Sequence, residues 1–304
     1  MELAARANRR GELDTLFQMY FSPNSAGEQP GIRQTYLALH ARRALLAERT
    51  IDDPTSAQIA LRRAGSAASD LRAARKFASV LALPSNSSTM RVEGLLALVT
   101  FDWSDGQREA ASRRWRDAAI LDANATLLHR ALMFVAPTDS VNADTLRAVR
   151  RALETEPIPV SAPGDLSRDE QRSLRVYLGG LLSRQLRDTV ALWRAGEQLA
   201  TARRSDRVAA PLRAALRGHL AIARRNNTDA VVAFESSVVS IPFEIRSRVP
   251  ALGQQVDRFA HAEALRALGR APEAKRWYAS ILDGPALWSV PYGSVVAQRL
   301  QAFP

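Results

Sequence analysis

The chain has no cysteine, only two lysines (Lys76 and Lys275) and only four histidines among its 304 residues. Without cysteine there are no disulfides, no thiolate metal sites and no thiol chemistry. No two of His40, His129, His219 and His261 share a helical turn and no His-Glu-x-x-His occurs, so no metal site is expected. Neither lysine follows the glycines of a phosphate-binding loop. Gly179-Gly180 stands inside a helical pattern, which excludes a dinucleotide turn, and Tyr292-Gly293-Ser294 lacks the second glycine of a nucleophile elbow. Long apolar runs are missing as well. The longest, Gly94 to Phe101, falls far short of the roughly 20 residues a membrane-spanning helix needs. Met1 to Arg6 carry no apolar core of a secretory signal. These absences predict a cytoplasmic chain that makes no membrane contact, needs no cofactor or metal, and is not an enzyme.

Arginine and alanine fill the space. The chain has 40 arginines and 53 alanines, and a formal net charge of +11. The Arg-Arg pairs beginning at Arg9, Arg42, Arg62, Arg113, Arg150, Arg203 and Arg224 are dispersed through Ala/Leu/Arg text. A nucleic-acid footprint would be a clustered basic stripe with aromatic platforms. Dispersed arginine instead suits solvent-facing helix positions, because arginine is a good helix former. The acidic pairs Asp52-Asp53 and Asp169-Glu170 stand at expected helix starts, where they complement the macrodipole.

Apolar spacing is helical nearly throughout. Leu13, Leu16, Phe17 and Tyr20 follow the i, i+3, i+4, i+7 rule, as do Leu174, Tyr177, Leu178 and Leu181. Thr55…Gln58, Ser104…Gln107 and Ser167…Glu170 have capping-box spacing, and Pro211, Pro250 and Pro272 fit first turns. The pattern predicts helices near 2–21, 32–49, 55–82, 88–102, 106–121, 124–135, 142–155, 167–186, 188–203, 211–225, 228–240, 250–268, 272–283 and 293–302. Gly65-Ser66 is a candidate break within 55–82. The Pro-rich segment Glu156–Leu166 is the candidate hinge, dividing residues 1–160 from 161–304, unless the array is continuous.

A repeat is readable in the second half. Gly218, Ala230, Phe234 and Pro242 are followed by Ala262, Leu265, Gly269, Ala274, Tyr278 and Ile281. An earlier set reads Gly106, Ala111, Trp115 and Ala118, and a weaker one Gly179, Leu182 and Ala191, with Ala195 where an aromatic is expected. This resembles the tetratricopeptide-repeat family, whose hairpins carry a small residue in the first helix, then Ala-x3-Phe and a closing proline. The repeats here are degenerate, with longer spacing. The resemblance implies an all-α fold, a right-handed superhelical stack of antiparallel helix hairpins, with Ala111, Trp115, Gly218, Ala230, Phe234, Ala262, Ala274 and Tyr278 buried. It also implies a non-catalytic scaffold binding a protein or peptide, acidic partners included, on its concave face. Carried over residue by residue, Arg184, His219, Ile222, Glu263 and Arg266 face the ligand.

Two other readings stand beside it: a nucleic-acid-binding helical repeat, and the sensor or helical domain of a larger bacterial signalling protein or enzyme. Trp115 and Trp277 read as core, while Trp103, Trp193 and Trp288 stand near hairpin ends, where they pack or line a groove. In the last predicted helix, Val296, Leu300 and Phe303 form one apolar stripe. That helix either covers the preceding hairpin, with Gln298, Arg299 and Gln301 outward, or offers a ledge for self-association or a neighbouring domain.

Overall fold

The computed structural model describes residues 54–64, 68–137, 141–159 and 166–303. The helices expected at 2–21 and 32–49, with His40 and Asp52-Asp53, lie outside these. Among the described residues every regular element is helical, and no helix is long and apolar enough to cross a membrane. Two compact units are present: one runs to Leu121 and includes Gly284–Leu287, the other comprises Asp122–Asp283 and Trp288 onward.

In the first unit, α1 (Pro54–Arg63), α2 (Ala68–Leu81), α3 (Ser88–Ser104) and α4 (Arg108–Leu121) pack consecutively, each on the next. The 55–82 segment is therefore two helices. Gly94 sets the crossing of α2 and α3: a Cβ there would lie 2.6 Å from the Ala78 carbonyl oxygen and the Ala82 nitrogen. Only glycine permits that approach. Arg62 grips Glu93 with two hydrogen bonds of 2.6 Å. Ser104 is not the expected N-cap. It ends α3, bonding back to Thr100, and the chain turns at Gly106 with φ of 77°.

The second unit contains α5 (Ala123–Val135), α6 (Ala143–Thr155), α7 (Arg168–Gln185), α8 (Thr189–Ala200), α9 (Ala209–Ala223), α10 (Asn227–Glu235), α11 (Phe243–Arg248), α12 (Gln255–Ala267) and α13 (Ala271–Leu282). A short α14 (Ala286–Ser289) precedes α15 (Gly293–Gln301). Helix α7 packs on α5, α6, α8 and α9, and α9 in turn on α8, α10 and α12. Of the Glu156–Leu166 segment, residues 160–165 lie outside the described residues, and its described ends, 156–159 and Leu166, both belong to this unit. Buried Arg175 of α7 donates to the Glu156 and Pro157 carbonyls and to Asn124 of α5, holding the start of that segment down.

One turn recurs. Arg187, Arg225 and Gly269 all have positive φ (57°, 60° and 74°), like Gly106 in the first unit. At each, the N–H of the left-handed residue bonds three residues back, to Arg184, Ile222, Arg266 and Trp103 respectively. The following N–H reaches five back, to Ser183, Ala221, Leu265 and Asp102. This is the two-bond Schellman closure of a helix end. It sets a common register for the hairpins α7–α8, α9–α10 and α12–α13. In that register Gly218 and Gly180 are equivalent, and so are Phe234 and Tyr278. The α7–α8 hairpin thus reads one residue later than its sequence suggests: Gly180, Leu192 and Gly196 take the places expected for Gly179, Ala191 and Ala195. Packing agrees, since a Cβ on Gly180 would meet Leu216 at 2.9 Å while one on Gly179 would meet nothing within 4 Å. All eight residues expected at helix–helix contacts are buried.

Two predicted helices are shorter than expected. Helix α10 stops at Glu235 instead of continuing to 240. Beyond it, Ser237, Val239 and Ile241 are buried while Val238, Ser240 and Pro242 are exposed, the alternation of an extended chain. β-branched Val238 and Val239 favour that conformation. The Gln254 side chain serves it as a neighbouring strand would, accepting from Val239 N at 2.9 Å and donating to the Ser237 carbonyl at 2.6 Å. Gln254 itself takes φ of 56°, which divides the expected 250–268 helix into a 3-10 turn (Pro250–Gly253) and α12. At the other end, α15 covers α13 with Val296 fully buried, and Gln298 and Gln301 exposed.

Glycine at the hairpin contact is directly testable. A Cβ at Gly218 would stand 2.7 Å from the Phe234 ring. Gly218→Leu is expected to lower stability by about 1–3 kcal/mol or more through overpacking, read by urea denaturation. Gly179→Ala, in open space one residue before the packed Gly180, is expected to raise it by about 0.5–1 kcal/mol.

Candidate functional site

Three first helices meet at one carboxylate. Tyr177 of α7 donates its hydroxyl to Asp257 of α12, 2.8 and 2.9 Å from the two oxygens. His219 of α9 lies 2.8 Å from Asp257 Oδ1 through Nε2, and Gln254 donates to Oδ2 at 3.2 Å. Arg184 Nη1 stands 3.0 Å from His219 Nδ1. A guanidinium only donates, so Nδ1 must be the acceptor and the imidazole proton sits on Nε2, directed at Asp257. The histidine is therefore neutral, and the Arg184 charge reaches the carboxylate through a ring and not by direct contact.

Burial sets the proton affinities. Tyr177 and His219 are fully enclosed and Asp257 is 3% exposed. Burial and then the Asp257 charge push the Tyr177 hydroxyl well above the ordinary phenol range. Burial pushes His219 down, reinforced by Arg184, and the bond to Asp257 only partly offsets it. Tyr292 lies in the field of Asp257 and Arg184, and its buried hydroxyl is likewise shifted upward, first by burial. Phe234 closes the cluster, edge-on to His219 at 5.1 Å and stacked with His261 at 5.7 Å.

A second cluster lies between α12, α13 and α15. Glu263 accepts from Arg266 at 2.9 Å, from Arg299 at 2.6 Å and from the Tyr278 hydroxyl. Burial alone would raise the Glu263 carboxyl, but the hydrogen bonds from Tyr278, Arg266 and Arg299 hold it below the usual range. Arg299, expected to point outward, is drawn in by this carboxylate.

The five residues singled out from the sequence thus separate into two pairs and a remainder. Arg184 meets His219, and Glu263 meets Arg266. Ile222 is half-buried and contributes its carbonyl to the Arg225 turn. His219, expected to face a ligand, is fully buried because both ring nitrogens are engaged by neighbours. Tyr177, Gln254, Asp257 and Tyr292 were not singled out. Tyr177 had a signal: a tyrosine inside an apolar stripe needs an acceptor for its hydroxyl. Asp257 is disguised by its place in the first turn of α12, where an acidic residue already suits the macrodipole. Among the described residues, no group of three or more acidic or histidine side chains is arranged to hold a metal ion.

Comparison with protein-family models, with curated proteins and with solved structures gives no match.

Removing the acceptor is the decisive perturbation of this cluster. Asp257→Ala strands the Tyr177 hydroxyl and the His219 N–H in a dry core, with an expected loss of about 3–5 kcal/mol. Tyr177→Phe, which removes one donor and strands nothing else, is expected to lose about 1–2 kcal/mol by the same denaturant midpoint measurement.

His261 gives a pH dependence. Buried against Phe234 and Trp277, and with Arg270 nearby, it is lowered from 6.5 to about 4. Between those values the unfolded chain binds more protons than the folded one, so stability is full above pH 6.5 and declines as pH falls toward 4. The expected loss is on the order of 3 kcal/mol, with His219 acting in the same direction. Thermal melts of His261→Phe across this range should show a flatter profile than the parent.

Proposed function

We propose that the chain is a non-catalytic binding module of tetratricopeptide-like architecture, its hairpins stacked in a right-handed superhelix. In this reading it engages a protein or peptide through the face formed by the first helices α7, α9 and α12. The observation that carries the reading is the recurring turn: three hairpins closed by the same pair of hydrogen bonds, with each first helix packed on the next. Hydrogen bonds from Ser173 to Asp206 and from Arg207 to Glu170 at one end, with Arg184 to His219 at the other, lay α7 and α9 parallel. Such stacking turns successive first helices to one side and makes an extended recognition surface.

A non-catalytic role is supported by how the ionisable groups are used. Asp257, His219 and Tyr177 occupy one another's hydrogen-bonding sites inside the core, so they hold helices together. The Glu263–Arg266 pair, about half-exposed at the arginine, is the polar feature of the first helices best placed to meet a partner.

A peptide-display selection against the immobilised full chain tests the reading. Sequence-related peptides should emerge, and Arg266→Glu should weaken their binding by about tenfold or more. A selection that converges on nothing, or on peptides indifferent to Arg266→Glu, overturns it.

A further inference from the structure

The outer face of α8 combines two features that the first-helix reading does not use. Val190 and Trp193 are 56% and 48% exposed, one turn apart, while Leu192, Gly196 and Leu199 hold the opposite side of the helix in the core. Trp193 is the one large aromatic side chain exposed to this degree among the described residues. Arginines lie near the pair in sequence and on the neighbouring helix. Arg187 precedes α8 in the turn, and Arg194 follows Trp193 on the helix. Glu197 pairs with Arg213 of α9 at 3.7 Å, which fixes the register of these antiparallel neighbours. One turn back along α8 lies Trp193, and one turn forward along α9 lies Arg217, so the two stand at the same level of adjacent antiparallel helices. Arg187, Arg194 and Arg217 are all exposed, and none has an acidic partner within 4 Å among the described residues. The nearby acids are engaged: Asp188 caps α8 at Ala191 and pairs with Arg150 at 3.0 Å.

Arg187 adds a further point. It occupies, at φ of 57°, the left-handed position that Gly106 and Gly269 fill in equivalent turns and that Arg225 fills in the α9–α10 turn. Glycine suits such a φ, so the Arg187 side chain can be removed by Arg187→Gly without disturbing the turn.

We propose that Arg187, Val190, Trp193, Arg194 and Arg217 form a docking surface for an acidic peptide segment carrying a large apolar side chain. The apolar residue packs on the indole and Val190, and flanking carboxylates pair with the three guanidinium groups. Tryptophan and arginine together are the side chains that most often carry interface energy. A nucleic-acid strand fits less well. Strands are held by successive bases stacked on several aromatics, whereas here a single indole stands beside an aliphatic residue. This surface goes beyond the first-helix face and requires neither that face nor a repeat architecture.

The test uses the full chain and a fluorescein-labelled peptide of repeated Glu-Glu-Leu-Phe, with polyglutamate and oligo-dT as comparison ligands, read by fluorescence anisotropy. The Glu-Glu-Leu-Phe peptide should bind more tightly than either comparison ligand, and less tightly as salt is added. Arg187→Glu/Arg194→Glu should weaken it by about tenfold or more, and Trp193→Ala by a similar factor. Arg187→Gly should fold at least as stably as the parent, because glycine suits the turn, yet bind the peptide less well. That combination separates recognition from a structural role. Equal affinity in all variants, no binding, or tighter binding of oligo-dT than of the peptide overturns the proposal. Loss of binding in Arg266→Glu with none in the α8 variants would leave the first-helix reading standing and remove this one.

Discussion

Placing one carboxylate in a dry interior constrains three helices at once. Asp257 must find donors where water cannot reach it, and they come from residues 80 and 38 positions away, Tyr177 and His219. Neighbouring residues of the second unit complete the arrangement. Gln254 leaves helical geometry so that one amide can serve both Asp257 and the extended segment after α10. Phe234 walls the imidazole in, and Gly218 yields the space the ring requires. The Arg184 charge, held near the cluster with its guanidinium on the imidazole, completes the electrostatic arrangement without touching the carboxylate directly.

Most helices were legible because two independent signals coincided: the apolar period and the turn chemistry. The Ser167–Glu170 capping box is present as written, with both reciprocal bonds formed. Where one signal stood alone, the sequence misled. Val231–Ile241 has helical flanks and β-branched content, and the chain splits the difference at Glu235. Two adjacent glycines, Gly179 and Gly180, fit the small-residue pattern equally, and only the turn at Arg187 fixes the register on Gly180. That turn was itself hidden, since nothing in an arginine announces a positive φ. The buried cluster was half visible. Arg184 and His219 stood out as polar residues on a first helix, whereas Asp257 matched an ordinary helix start and Tyr177 an ordinary apolar stripe.

The arginine excess resolves into distinct uses once the chain is folded. Some guanidinium groups act as core ties: Arg175, 4% exposed, gathers two loop carbonyls and an amide from α5. Others stitch elements through carboxylates, as Arg207 does to Glu170 and Arg299 to Glu263. A third group, including Arg187, Arg194, Arg217 and Arg224, is exposed with no carboxylate within 4 Å among the described residues. Charge counted along the sequence cannot separate these groups, because all three draw on the same residue in the same Ala/Leu/Arg context. Their difference lies in which neighbouring helix presents an acceptor.

An array of hairpins that touch only their immediate neighbours behaves as a chain of semi-independent springs, able to fray from an end one hairpin at a time. The Tyr177–Asp257 bond does not respect that rule. It links the first hairpin of the set to the third, bypassing the one between them. Loss of the α12–α13 hairpin would therefore be felt in α7 as well as in α9, which ties the fates of all three to one event. Three hairpins so cross-linked share one unfolding event, and a load applied to one of them is borne by all three.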